Sequence, residues 1–150
     1  MKLNSWALAG ILGVLILTLA IVLGAAAPTR FTVNGSTTYE QLRVIHAEQS
    51  LDFTKQAMVD NWEVTIWPQD QFEKYVRDNK VQTSIAFTFL DSDHTYINEY
   101  FLVWASDAQV RFVLGHEAGH MICECKSELK ADSLAHAMTG IDRPIFKPLE

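Results

Sequence analysis

The spacing of apolar and polar residues changes several times along this chain, and each change marks an expected element. From Trp6 to Ala27 no charge interrupts the apolar run, and about 22 residues suffice to span a bilayer as a helix. A cleavable signal peptide has a shorter apolar core of about 7–15 residues. A membrane anchor is therefore expected, with secretion after cleavage at Ala25-Ala-Ala27 as the alternative. Pro28-Thr-Arg30 reads as a linker, which divides the chain into an anchor segment, 1–30, and a domain, 31–150. Lys2 and the amino terminus, set against Arg30, predict a cytoplasmic amino terminus and a domain outside.

Phe31-Thr-Val33 before Asn34-Gly35 predicts a small strand and turn. Thr37-Thr-Tyr-Glu40 has capping-box spacing and opens a helix expected to run to Met58, with Leu42, Ile45, Phe53, Ala57 and Met58 inward. Trp62-Glu-Val-Thr-Ile-Trp67 alternates and stops at Pro68, the pattern of a strand. A short helix over Asp70–Asn79 follows, with Phe72, Tyr75 and Val76 inward, then a strand over Val81–Leu90. Asp91-Ser-Asp-His94 is a polar turn, and Thr95 to Leu102 is the expected hairpin partner. Ser106-Asp-Ala-Gln109 reads as an N-cap with a capping box, and Val110, Val113 and Leu114 continue it at helical spacing. Ser127 to Ala135 is a second helical pattern.

The order after the anchor is helix, strand, helix, strand, strand, helix, helix. It predicts an α+β domain with a small, twisted, mostly antiparallel sheet covered by helices. The core candidates are Trp62, Ile66, Ile85, Phe87, Phe89, Phe101, Val110, Val113 and Leu114, with Trp67 and Trp104 placed there too. The tail from Arg143 to Pro148 is expected to lie extended on the surface. Composition changes this picture little. The 150 residues, 49% hydrophobic with a formal net charge of −6, suit one small domain plus an apolar segment. The acidic balance and the lack of a basic patch argue against a nucleic-acid partner.

The chemistry concentrates in Val113-Leu-Gly-His-Glu-Ala-Gly-His120, which carries His-Glu-x-x-His at His116, Glu117 and His120. Residues four apart on a helix share a face, so both imidazoles can meet one metal ion. Glu117 then projects beside that ion, where it can take a proton from bound water. A catalytic zinc has a third protein ligand and keeps one open position. The candidates downstream are Glu128, Asp132, His136, Glu124 and a cysteine thiolate.

Glu128 and Asp132 stand one turn apart on the second helix, and with His116, Glu117 and His120 they resemble the gluzincin metallopeptidases. There, His-Glu-x-x-His is followed by Glu-x-x-x-Asp on a later helix. The resemblance implies a zincin-like fold in which His116, His120 and Glu128 bind Zn2+, Glu117 is the general base and Asp132 supports a zinc-bound histidine. The order Ile85–Phe89, turn, Thr95–Asn98, Asp107–His120 is similar to that in membrane-associated gluzincins such as the CAAX prenyl proteases. It implies that the strand around Ile85, Ala86 and Phe87 is the cleft edge, able to hold an extended peptide by strand addition. His136 is the candidate oxyanion stabiliser. The segment Met121 to Ser127, shorter than in many gluzincins, demands a tight helix–turn–helix to bring Glu128 back.

The remaining candidates have plainer readings. His46 is expected as a packed or surface residue, and His94 with Asp91 and Asp93 as a solvated turn. Cys123 and Cys125, two apart, are expected as free thiols acting as small hydrophobes. The function expected is a membrane-anchored zinc endopeptidase acting on a peptide or protein. The alternatives are a non-catalytic zinc-binding or interaction domain and a metal-free structural protein.

Overall fold

The computed structural model describes residues 32–33, 38–57 and 59–147. The expected anchor, Trp6 to Ala27, lies outside them; among the described residues no helix is long and apolar enough to cross a membrane. The elements in order are β1 (Thr32–Val33), α1 (Tyr39–Gln49), a 3-10 turn (Phe53–Lys55), β2 (Glu63–Trp67), α2 (Gln69–Asn79), β3 (Ala86–Phe89), β4 (His94–Asn98), α3 (Glu99–Trp104), α4 (Asp107–Cys123) and α5 (Glu128–Thr139). The α+β class expected from the pattern holds.

The sheet order is β1-β2-β4-β3. It is mixed rather than mostly antiparallel: β1 with β2 and β2 with β4 are parallel, and only β3 with β4 is antiparallel. The reason lies between β2 and β3. Ile66 and Ala86 both pair with Ile97, so α2 and the loop after it return the chain to the end of the sheet where β2 finished. β3 then runs back, and β4 leaves the hairpin pointing the same way as β2. This leaves β3 at one edge of the sheet.

Alternation divides the strands between two faces. Trp62, Val64, Thr95 and Ala86 are buried with Ile97 against the helices, where Val44, Leu102, Val110, Leu114 and Ala118 complete the core. On the other face Trp67, Phe87, Phe89 and Tyr96 form an aromatic layer with Phe72 and Tyr75 of α2. The core expectation fails at Phe87 and Trp67, which lie half-buried in this aromatic layer, and at Phe89, which is exposed at the sheet edge.

Three element boundaries differ from expectation. α1 has its capping box at Thr38 and Gln41, and it stops at Ser50 rather than Met58. There the Ser50 hydroxyl and amide both bond to the Ala47 carbonyl, and Asp52 caps a separate 3-10 turn. The inward stripe of α1 is also rotated: Val44 and Ala47 are buried and Leu42 is exposed. The expected strand over Val81–Leu90 shortens to Ala86–Phe89. The expected strand to Leu102 ends at Asn98, whose side-chain oxygen accepts from the Tyr100 amide and starts α3. Arg43 then ties α1 to this corner, donating to the carbonyls of Leu102 and Ala105 and pairing with Asp107.

Glu48, on the buried side of α1, carries a cost. Burial pushes its carboxyl up to about 7 from an ordinary value of 4.5. Between those values the folded chain keeps a proton that the unfolded chain releases, so stability falls as pH rises through that window. Glu48→Gln is expected to stabilise the protein by about 1–3 kcal/mol at pH 8 and by much less near pH 4.5. Thermal unfolding of both forms at the two pH values reads the difference.

Candidate metal centre and cleft

The centre is built on the packing of α4 against α5. α4 starts at the Ser106–Gln109 capping box, as expected, and ends where Glu124 takes a left-handed φ of 47°. α5 starts at the Ser127 cap. Gly115 and Gly119 of α4 face Ala135 and Ala131 of α5 so closely that a Cβ on Gly119 would lie 2.9 Å from the Ala131 carbonyl oxygen. Small residues on both helices allow this approach. It brings the first turns of α5 beside the last turns of α4.

Three residues with metal-ligating atoms meet there. His116 Nε2 lies 3.0 Å from His120 Nε2 and 3.2 Å from Glu128 Oε2, and His120 Nε2 lies 3.6 Å from Glu128 Oε1. Ligands held 2.0–2.1 Å from zinc at the tetrahedral angle stand roughly 3.3 Å apart. The three separations are close to that value. Among the described residues these three are the ones whose ligand atoms gather in this way. Asp132, His136 and Glu124, the other sequence candidates, are not in the group.

The outer ring nitrogens are already committed. His120 Nδ1 lies 2.9 Å from the Cys125 carbonyl, which can only accept, so this nitrogen carries the proton. His116 Nδ1 lies 2.8 Å from Asp132 Oδ1, and it donates to that carboxylate. Both Nε2 atoms therefore offer lone pairs toward the shared point, the arrangement that orients imidazole for a metal. Asp132 is held from its other side by Arg143, whose Nη1 is 2.9 Å from Oδ2. Arg143 belongs to the tail that had been expected merely to lie on the surface.

Cys123 and Cys125 are not free: they form a disulfide. The turn at Glu124 that ends α4 brings their Cα atoms to 5.1 Å, a spacing that an extended Cys-x-Cys would not give. Neither sulfur is then available as a thiolate ligand. The same turn presents the Cys125 carbonyl to His120.

Glu117 sits behind the ligands and is only 5% exposed. Thr88 of β3 donates to its Oε2 at 2.6 Å. Burial pushes the carboxyl up; the Thr88 hydrogen bond and the neighbouring His116 and His120 pull it back, while Glu128 adds to the rise. Behind Thr88, its register partner Thr95 lies 2.7 Å away, and the Trp62 indole donates to Thr95. None of the three is a site candidate by sequence, Trp62 being expected only in the core. Expecting Phe87 and Phe89 inward points Thr88 outward; the structure turns the opposite face of β3, Ala86 and Thr88, toward the helices.

A cleft of about 740 Å³ opens over these groups, with Glu117, His116, His120 and Glu128 along one side and β3 along the other. Ile85, Ala86 and Phe87, the expected peptide-holding residues, all line it. His136 does not. It sits one turn beyond Asp132, with Nδ1 3.2 Å from both the Ile141 carbonyl and Asp142 Oδ1, so the structure does not place it as an oxyanion stabiliser. His94 opens β4 beside Thr65, Glu63 and Tyr96 instead of lying in a free turn, and His46 is exposed on α1. The chain matches no known protein family, no curated protein and no solved structure.

The helix seam makes a graded prediction. A Cβ at Gly119 meets backbone, whereas at Gly115 its nearest neighbour is the Thr139 methyl at 3.0 Å, the end of a side chain. Gly119→Ala is expected to cost about 1–3 kcal/mol and to weaken divalent-metal binding; Gly115→Ala should do less of both. Thermal unfolding and chelator competition measure the two effects.

Proposed function

We propose that the protein is a zinc-dependent endopeptidase of the gluzincin type, held at a membrane by its uncharged N-terminal run. The observation that carries this reading is the meeting of His116, His120 and Glu128 beside a buried Glu117 in a cleft flanked by a sheet edge. Two imidazole nitrogens and one carboxylate are a donor set suited to catalytic zinc.

Zinc bound by these three residues would polarise the scissile carbonyl and bring its water within reach of deprotonation near neutral pH. Each protein group then has a part. Asp132 and the Cys125 carbonyl hold the Nδ1 protons and so fix the two imidazoles. Glu117 accepts the water's proton and passes it to the departing amine. The edge of β3 pairs with the backbone of an extended peptide, while Ile85 and Phe87 contact its side chains.

The test uses the full-length chain. His116→Ala is expected to lose stoichiometric zinc. Glu117→Gln is expected to keep zinc and to lower peptide hydrolysis by about 10²–10⁴-fold. Metal analysis and turnover of a quenched peptide library read the two outcomes; full hydrolysis by the purified Glu117→Gln protein removes the assigned base.

A further inference from the structure

We infer that Trp62, Thr95 and Thr88 form a one-way hydrogen-bond relay whose task is to position Glu117. The inference rests on the peptidase reading for its purpose, though not for its existence. Its geometry is a chain of three contacts crossing the sheet from the core to the cleft: Trp62 Nε1 to Thr95 Oγ1 at 2.9 Å, Thr95 Oγ1 to Thr88 Oγ1 at 2.7 Å, and Thr88 Oγ1 to Glu117 Oε2 at 2.6 Å.

The direction of each bond follows from the number of protons available. An indole N–H can only donate, so Thr95 accepts from Trp62. A hydroxyl has one proton, and that of Thr88 goes to Glu117. The contact between the two threonines must then be filled by the proton of Thr95. All three donors point toward the carboxylate. In the reverse direction the Thr95 proton would lose its acceptor in the chain, since the indole cannot take it. A relay anchored at an obligate donor therefore has one satisfied polarity, which ends by presenting a donor to Oε2.

The surroundings make this polarity firm. Trp62 and Thr95 are fully buried, and Thr88 and Thr95 are directly opposed in the β3–β4 register. A buried hydroxyl without its partner costs roughly 1–3 kcal/mol, so Thr95 is not free to turn away; Thr88, half-buried at the cleft wall, is held between Thr95 and Glu117. Glu117 has several rotatable bonds, and its helix alone does not decide where its carboxylate points. Thr88 fixes one oxygen and leaves Oε1 as the oxygen that receives the proton. The base is thus aligned from the sheet, while the ligands on either side of it are aligned from the helices. Thr88 is a positioning residue in this scheme. A methyl in place of its hydroxyl removes the alignment while keeping the strand-favouring branched shape.

Two measurements on the full-length chain test this. In metal-free, nitrogen-15-labelled protein, the Trp62 indole N–H resonance is expected to move in Thr95→Val, Thr88→Val and Glu117→Ala, and to stay near its place in Thr88→Ser. A Trp62 resonance indifferent to Thr88→Val and Glu117→Ala overturns the relay whether or not the protein cleaves peptides. In zinc-loaded protein, Thr88→Val is expected to lower kcat about 10–100-fold with KM and zinc affinity unchanged, and Thr88→Ser to recover most of it. Undiminished kcat in Thr88→Val overturns the positioning role. Indole responses as expected, in a protein that turns over no peptide, leave the relay standing and sink the peptidase reading alone.

Discussion

The close approach of α4 and α5 is the constraint on which the rest of this structure depends. The connection between the two helices is a turn of a few residues, so the second must come straight back along the first. Gly115 and Gly119 remove the side chains that would hold it off, and Ala131 and Ala135 present little bulk from the opposite side. Without that seam Glu128 could not stand within 3.2 Å of His116, nor Asp132 within 2.8 Å. Glycines are usually discussed as helix weakeners. Here their weakness in isolation is exchanged for a backbone approach that larger residues forbid.

A second set of forces meets at Glu117. Its burial would favour the neutral acid, and the groups that oppose this come from different layers: Thr88 from the sheet edge, His116 and His120 from its own helix. The sheet is therefore more than a platform under the helices. Its inward face carries two hydroxyls among apolar neighbours, each satisfied by the next polar group, which is how a polar path can cross a core without leaving an unpaired group.

How much of this was legible in the sequence depended on whether the signal was local. The capping box at Ser106–Gln109 and the His-Glu-x-x-His spacing are short-range patterns, and the helix carrying them lies where they place it. Glu128 and Asp132 were found through their spacing on one helix and a resemblance, and both reach the histidines. His136 shares that helix, but its ring turns to the chain's own exit at Ile141 and Asp142. Strand partners are chosen by distant residues, so the parallel pairing of β2 with β4 had no local mark. The end of the strand at Asn98 did have one, an N-cap residue, but it was overshadowed by the apolar run behind it. The disulfide has no local mark in the sequence, because two cysteines so near each other bridge only when the backbone turns sharply between them. That turn was hidden at Glu124, a residue type that seldom adopts a positive φ.

The three candidate ligand residues, the carboxylate and carbonyl that orient the two imidazoles, and Arg143 all belong to a single helical hairpin and its exit, residues 116–143. Contacts this close in sequence form early and at little loop-closure cost. An ion held there would clasp one contiguous cooperative unit instead of stitching remote parts of the fold together. Its binding energy would be spent on keeping that unit shut, and amide exchange would slow in the hairpin well before it slowed across the strands. The cleft wall contributed by β3 would feel that closure chiefly through the Thr88–Glu117 hydrogen bond, the one point where the sheet grips the hairpin's buried carboxylate.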